Sequence, residues 1–369
     1  MSRLLRSSEG WIYLLALFIP VAIVLDIADA SATAIFFTSA IGVIPTAALM
    51  GRATEELSAR SGPGIGGLLN VTFGNAPELI IALFALGKGL HEVVKASLIG
   101  SIIGNVLLVL GASILVGGIR VDPRGRQRFS RTAASAQSAM LLLAAAAMVM
   151  PAIYELVEGK GLPTPGDERV NYTGDVVSIS LWVAGILIVC YLAGLFFSLR
   201  THRDLFNPEH KGVEGEPWTV RRAVIVLGIA GVAVGVMSEI LVSSISEAAH
   251  SVGLSEFFIG AIVVAIVGNA AEHWVAVLVA GKDKMDLAVN IAIGSSAQIA
   301  LFVAPVLVLC SLFIGPSTMA LVFNGFELGA VLLAVIIANQ VTNEGETTWF
   351  EGVQLLGVYA VLAITFAYA

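Results

Sequence analysis

The sequence predicts an all-α polytopic membrane protein: eleven transmembrane helices, one leading helix followed by two five-helix repeats inserted with opposite orientation. Three observations predict it, namely an apolar composition, the placement of basic residues, and a motif that recurs in the second half. Of 369 residues, 57% are hydrophobic and only 13% are charged, with a mean hydropathy of +0.91. A soluble domain carries about 25% charged residues. No soluble interior hides so much apolar surface, so the surrounding solvent is lipid. Cys190 and Cys310 each stand inside an apolar run and read as packing residues rather than a metal or disulfide framework. The basic start Met1–Arg6 precedes no small-residue cleavage site, which reads as no removable signal peptide.

A spanning helix needs roughly 20 mostly apolar residues. Such stretches lie at about 11–27, 31–50, 63–87, 93–117, 132–153, 176–199, 221–247, 255–281, 286–313, 325–342 and 349–368. With the N-terminus in the cytoplasm and the C-terminus outside, the odd-numbered spans run outward. Arg3, Arg6, Arg52, Arg60, Arg120, Arg124, Arg126, Arg128, Arg131, Arg200, Arg203, Lys211, Arg221, Arg222, Lys282 and Lys284 then face inward. Only Lys88, Lys95, Lys160 and Arg169 remain outside, the distribution that the positive-inside rule favours. Residues 154–175 become an external loop and 200–220 the longest cytoplasmic connection.

That connection separates two similar halves. Gly74-Asn75-Ala76-Pro77-Glu78 matches Gly268-Asn269-Ala270-Ala271-Glu272 at an offset of 194 residues, as do Gly87-Lys88 with Gly281-Lys282 and Gly100-Ser101 with Gly294-Ser295. With a gap, Thr54-Glu55-Glu56-Leu57 aligns with Ser238-Glu239-Ile240-Leu241. The two glutamates lie five spans apart, an odd number, so the halves insert in opposite senses. The expected division is a leading segment 1–30, a first repeat 31–199, a linker 200–220 and a second repeat 221–369. Inverted repeats with a site between them are the architecture of many secondary transporters.

Glu78 and Glu272 fall near mid-span, where a carboxylate costs about 2.5–3.5 kcal/mol on insertion scales and is seldom incidental. No basic residue in the apolar sequence is placed to neutralise them at that depth. Pro77 lacks the N–H that would bond the carbonyl of Phe73, and Gly74 tolerates an unwound backbone. In the second half Ala271 replaces the proline, so a break there rests on Gly268. Asn75 and Asn269 lie three residues before the glutamates, on the same helical face. The next span of each half adds Ser101 and Asn105, or Ser295, Ser296 and Gln298. The large amides point to a site. Ser101 and Ser296 read equally well as helix packing contacts. These are oxygen donors, and Ca²⁺ takes 6–8 oxygens. The lack of thiolates and near lack of imidazoles argue against zinc or copper. His273 is either a proton-sensitive neighbour or a packing histidine. Glu55, Glu56 and Glu239 read as markers of the two access paths, with solubilising charge as the alternative.

The strings GNAPELI, GSIIGN, VGNAAEHW and IGSSAQIALFVAP together resemble the Ca²⁺/H⁺ exchanger family of the cation/Ca²⁺ exchanger superfamily. The resemblance runs from the second span to EGETTWFEGVQLL at the start of the last. It implies a Ca²⁺ site around Glu78 and Glu272, joined by Asn75, Asn269, Ser295, Gln298 and backbone carbonyls of two broken helices. It also implies protons as the counter-ion, because sodium-coupled relatives usually carry Ser/Thr and Asp at comparable places. A strongly acidic segment between the halves, frequent in the eukaryotic branch, is not evident, which favours a bacterial plasma membrane.

The expectation is therefore a transporter and not an enzyme, a secondary antiporter exporting Ca²⁺ in exchange for H⁺. A Na⁺/Ca²⁺ exchanger or a Mn²⁺ antiporter is the nearest alternative, and a cation channel a remote third. Glu272-His273 lacks the His-Glu-x-x-His spacing of a metalloprotease. No cofactor is expected, Ca²⁺ being the cargo. Expected partners are the lipid bilayer, Ca²⁺ and H⁺, with no nucleic acid and with room for a homo-oligomer.

Overall fold

Lipid offers no hydrogen bonds to a backbone, so a spanning segment must satisfy its own, and a helix does this residue by residue. The computed structural model describes residues 12, 14–61, 66, 69, 72–121, 124–166, 172–201 and 218–369. Most of the 200–220 linker, the start of the expected third span, and Arg3, Arg6 and Arg169 lie outside the described residues. The helices are α1 (Leu15–Ile27), α2 (Ala32–Arg60), α3 (Ala76–Gly87), α4 (His91–Val121), α5 (Arg131–Val157), α6 (Asp175–Thr201), α7 (Val220–Val252), α8 (Glu256–Ala280), α9 (Met285–Cys310), α10 (Gly325–Thr342) and α11 (Trp349–Ala367). Nine of them, α2 and α4–α11, are long and apolar enough among the described residues to cross a bilayer. At the other two expected spans, α1 and α3 are shorter, and residues 72–74 are helical just ahead of α3.

Helix α2 runs ten residues past its expected end. Hydropathy falls at Gly51 and Arg52, but backbone hydrogen bonding continues to Arg60, so Glu55 and Glu56 lie inside the helix. Among the described residues a two-residue strand pair departs from the helical pattern. Gln127 faces Thr347 and Arg128 faces Glu346 in β1 (Gln127–Arg128) and β2 (Glu346–Thr347). Arg126 reinforces this with an ion pair to Glu346.

Helices α4 and α9 form the centre, with 72% and 78% of their apolar windows buried, against 22% in α11. Around them α8 packs on α9, α5 on α9 and α10, and α11 on α4. Peripheral side chains such as Leu143, Trp182, Val189 and Val232 are exposed, as lipid-facing residues should be. Cys190 belongs to this exposed set rather than to a packed core, which corrects its sequence reading; Cys310 is half-buried. Small residues bring the inner helices close. A methyl on Gly100 of α4 would stand 2.0 Å from the carbonyl oxygen of Ala261 on α8.

Helices α2 and α7 form a long pair with α1 against α2. At one end Thr33 and Ser251 share a hydrogen bond of 2.5 Å. At the other, Glu56 accepts the Trp218 backbone N–H at 2.9 Å, and the Trp218 ring lies between Arg52 and Arg222, 5.4 and 4.5 Å from its centroid. Glu56 is buried by this tie, so it is a helix fastener rather than the path residue expected from sequence.

Candidate ion site

The first motif interrupts its helix. Residues 72–74 are helical, Asn75 turns out of the ladder at φ −96° and ψ 18°, and α3 begins at Ala76 with Pro77 in its first turn. Proline suits that position, where its missing N–H breaks no helical bond. The second motif does not interrupt its helix. Residues 265–280 of α8 are continuous through Gly268 and Glu272, and the wide π-helical stretch lies earlier, at Ile259–Val264. The expectation of two broken helices is thus met in the first half only, because Ala271 restores the N–H that Pro77 lacks.

The two motifs face one another. A methyl on Gly74 would stand 3.6 Å from Glu272 Oε1, and one on Gly268 would stand 3.4 Å from Glu78 Cγ and 3.6 Å from its Oε1. Each carboxylate therefore rests against the glycine of the opposite motif. Neither carboxylate makes an ion pair among the described residues. Ser295 donates to Glu272 Oε2 at 2.9 Å. Asn75 Nδ2 donates to Gln298 Oε1 at 2.6 Å, and Asn269 Nδ2 donates to Ser101 Oγ at 3.1 Å and to the Ala265 carbonyl at 3.0 Å.

These bonds consume the amide nitrogens and leave oxygens without a partner. Asn75 Oδ1, Asn269 Oδ1 and Glu78 Oε2 are all buried and unpaired. A buried polar atom without a partner costs about 1–3 kcal/mol, and three such oxygens on two motifs that face one another are a donor set for a hard cation.

The remaining expected residues separate by role. Ser296 bonds the Ala292 carbonyl at 2.9 Å, a helix-internal contact. Asn105 Oδ1 and His273 Nε2 pair at 3.0 Å, which joins α4 to α8 and occupies the asparagine oxygen expected at the ion. His273 is accordingly held as a packing residue. Glu55 is exposed on α2, and Glu239 is exposed on α7. Ser97 was not expected. It lines, with Glu78, Ser101 and Gly268, a small cavity of about 10 Å³ for water centres. Its place one helical turn before Ser101 is the signal that sequence carried. Lys95 was expected on the outer side, at the start of the span 93–117; it is buried in α4 and donates to the Val322 carbonyl at 2.7 Å.

A helical membrane protein with two facing carboxylates and unpaired amide oxygens between its central helices defines a cation carrier. The chain belongs to the sodium/calcium exchanger protein family, whose model matches residues 31–200 and 222–368. It is 44% identical over 358 residues to the Ca²⁺/H⁺ antiporter ChaA of Bacillus subtilis, covering 96% of this chain and 97% of that protein. It is 43% identical to the Ca²⁺/H⁺ antiporter of Synechocystis, covering 90% and 91%. Its fold is similar to the native structure of YfkE, with a TM-score of 0.81 at 40% identity over 97% of this chain and 100% of that one. The H⁺/Ca²⁺ exchanger CAX, at 13% identity and a TM-score of 0.71 over 98% and 92%, shares the fold.

Proposed function

We infer that this protein is an antiporter that exports Ca²⁺ from the cytoplasm in exchange for H⁺, alternating access around a mid-membrane carboxylate site. The observation that carries the reading is the trio of buried, unpaired oxygens, Asn75 Oδ1, Asn269 Oδ1 and Glu78 Oε2, on the motifs that carry Glu78 and Glu272, neither of which forms an ion pair among the described residues. Two carboxylates in a low-dielectric setting need neutralising. One Ca²⁺ does this, and so do protons, so the two cargoes compete for the same atoms. The relatives at 43–44% identity, both Ca²⁺/H⁺ antiporters, support protons as the counter-ion.

The reading further takes residues 31–199 and 221–369 as inverted repeats, with 1–30 ahead of them and 200–220 between. It places the N-terminus in the cytoplasm, the C-terminus outside and the protein in a bacterial plasma membrane. Sixteen of the 20 basic residues then face inward. Asn75, Asn269, Ser295 and the carbonyls about Gly74 would serve with the glutamates as Ca²⁺ ligands, with Gln298 Oε1 holding the Asn75 amide so that its oxygen is turned to the ion. Glu55 would mark the cytoplasmic approach and Glu239 the outer one.

The test is ⁴⁵Ca²⁺ uptake into proteoliposomes under an imposed pH gradient, with and without Na⁺. Uptake driven by the pH gradient and indifferent to Na⁺ is expected. Uptake that requires a Na⁺ gradient would replace protons by sodium, and flux without any counter-ion would indicate a channel.

A further inference from the structure

Helix α9 carries Asp286, Asn290, Gly294 and Gln298 at intervals of four residues, which stacks them along one helical face. Asp286 is exposed at the start of the helix and accepts the Ser130 backbone N–H at 2.5 Å. One turn deeper, Gln137 of α5 donates to Asn290 Oδ1. Beside this pair lies a cavity of about 20 Å³, lined by Ser130, Gln137, Asp286, Asn290 and apolar neighbours that include Phe129 and Val289. That is room for one water. A methyl on Gly294 would stand 3.5 Å from both Asn290 Oδ1 and Gln137 Nε2, so the pair reaches the residue before Ser295, which donates to Glu272.

The other half seals the same positions. The 194-residue offset that relates Glu78 to Glu272 pairs Asn290 with Ala96, Gln137 with Val331 and Gly294 with Gly100. Ala96 and Val331 are buried, at 0% and 3% exposure, and the backbone of Ala261 fills the space beside Gly100. Helix packing alone is thus served by an alanine and a valine. Two large amides at the counterpart positions carry a desolvation cost that their one mutual bond offsets only in part, since each keeps further donor or acceptor capacity that water can meet.

We propose that α5 and α9 enclose a water-filled proton route between the cytoplasmic face and Glu272, distinct from the approach past Glu55 that admits Ca²⁺. The proposal rests on the antiport reading above. A passage no wider than this cavity would exclude hydrated Ca²⁺ but carry a proton. The O–H of the Glu272 carboxylic acid breaks, its proton passes to a water beside Ser295, and water-to-water transfer delivers it past the Gln137–Asn290 pair to solvent at Asp286. The carboxylate left behind takes up Ca²⁺. The amides neither gain nor lose a proton; they hold the waters in line.

Two transport modes in proteoliposomes separate the route from the site. One is Ca²⁺ uptake driven by a pH gradient, and the other is ⁴⁵Ca²⁺/Ca²⁺ self-exchange at equal pH, which moves no net proton. Asn290→Leu and the double variant Gln137→Leu/Asn290→Leu should lose the proton-driven mode by roughly tenfold while self-exchange stays within about twofold. Asn290→Ser, which readmits water, should recover the proton-driven mode relative to Asn290→Leu. Parallel loss of both modes in the leucine variants would make the pair a helix brace and overturn the route. So would full retention of proton-driven uptake. Wild-type protein that self-exchanges Ca²⁺ but ignores the pH gradient would instead overturn the antiport reading.

Discussion

Glu78 and Glu272 each rest against the glycine of the opposite motif, so the site is a single object shared by residues 194 positions apart. Glu78→Gln and Glu272→Gln should each abolish exchange without unfolding the protein, because each removes half of the charge that Ca²⁺ neutralises. Reconstituted transport above half of the wild-type rate in either variant would remove that glutamate from the mechanism. Asn75→Ala and Asn269→Ala delete neutral oxygens and should weaken apparent Ca²⁺ affinity by roughly tenfold, the equivalent of about 1.4 kcal/mol, with less effect on turnover. Concentration-dependent uptake measures this, and unchanged half-saturation in both would reduce the amides to helix braces. At this scale the sequence reveals ionisable and amide residues in apolar surroundings, since their insertion cost makes them conspicuous. It does not reveal which oxygen is already taken. Asn105 and His273 are 168 residues apart, and their pairing depends on how α4 and α8 pack. Glu56 shares its motif with Glu55 but points to Trp218, a difference of about 100° around a helix.

Helix positions were legible because lipid permits one solution to the backbone, while helix ends were not. The extension of α2 to Arg60 and of α4 from His91 to Val121 passes through charged residues that a hydropathy window excludes. The strand pair was invisible for another reason: Gln127 and Thr347 lie 220 residues apart, and two-residue strands carry no alternating pattern. Gly100 is the element-scale feature with the clearest consequence. A side chain there meets the Ala261 carbonyl oxygen, which a rotamer change cannot move. Gly100→Leu should therefore separate α4 from α8 and destabilise the fold by about 1–3 kcal/mol or more. Thermal unfolding in detergent would show this as a lowered midpoint, and an unchanged midpoint would mean that the two helices slide apart freely.

For the whole molecule, competition for shared carboxylates sets the pH dependence. Protonation removes Ca²⁺ ligands, so apparent Ca²⁺ affinity should fall as pH falls. Ca²⁺ titrations at several pH values check this, and a pH-independent affinity would require separate sites for the two ions. Inverted insertion gives a second expectation at this scale. In a background lacking Cys190 and Cys310, Glu55→Cys should react with impermeant thiol reagents from the cytoplasm and Glu239→Cys from outside. Labelling of both from one side would break the inverted arrangement. The repeated motif is what makes this arrangement an expectation of the sequence, since five expected spans between matching glutamates set the parity of insertion.

The fastening of α2 to α7 has a kinetic meaning. Thr33–Ser251 ties one end of the pair and Glu56–Trp218 the other, so the helices that carry Glu55 and Glu239 are held together at both ends. In a carrier whose two doors hang on such a pair, opening one door draws the other shut. The state with both doors open, which would let Ca²⁺ run back down its gradient, requires these fastenings to part. With Glu55 and Glu239 at the two approaches, as proposed above, the pair would act as an interlock, its tightness set by hydrogen bonds and a tryptophan away from the ion site.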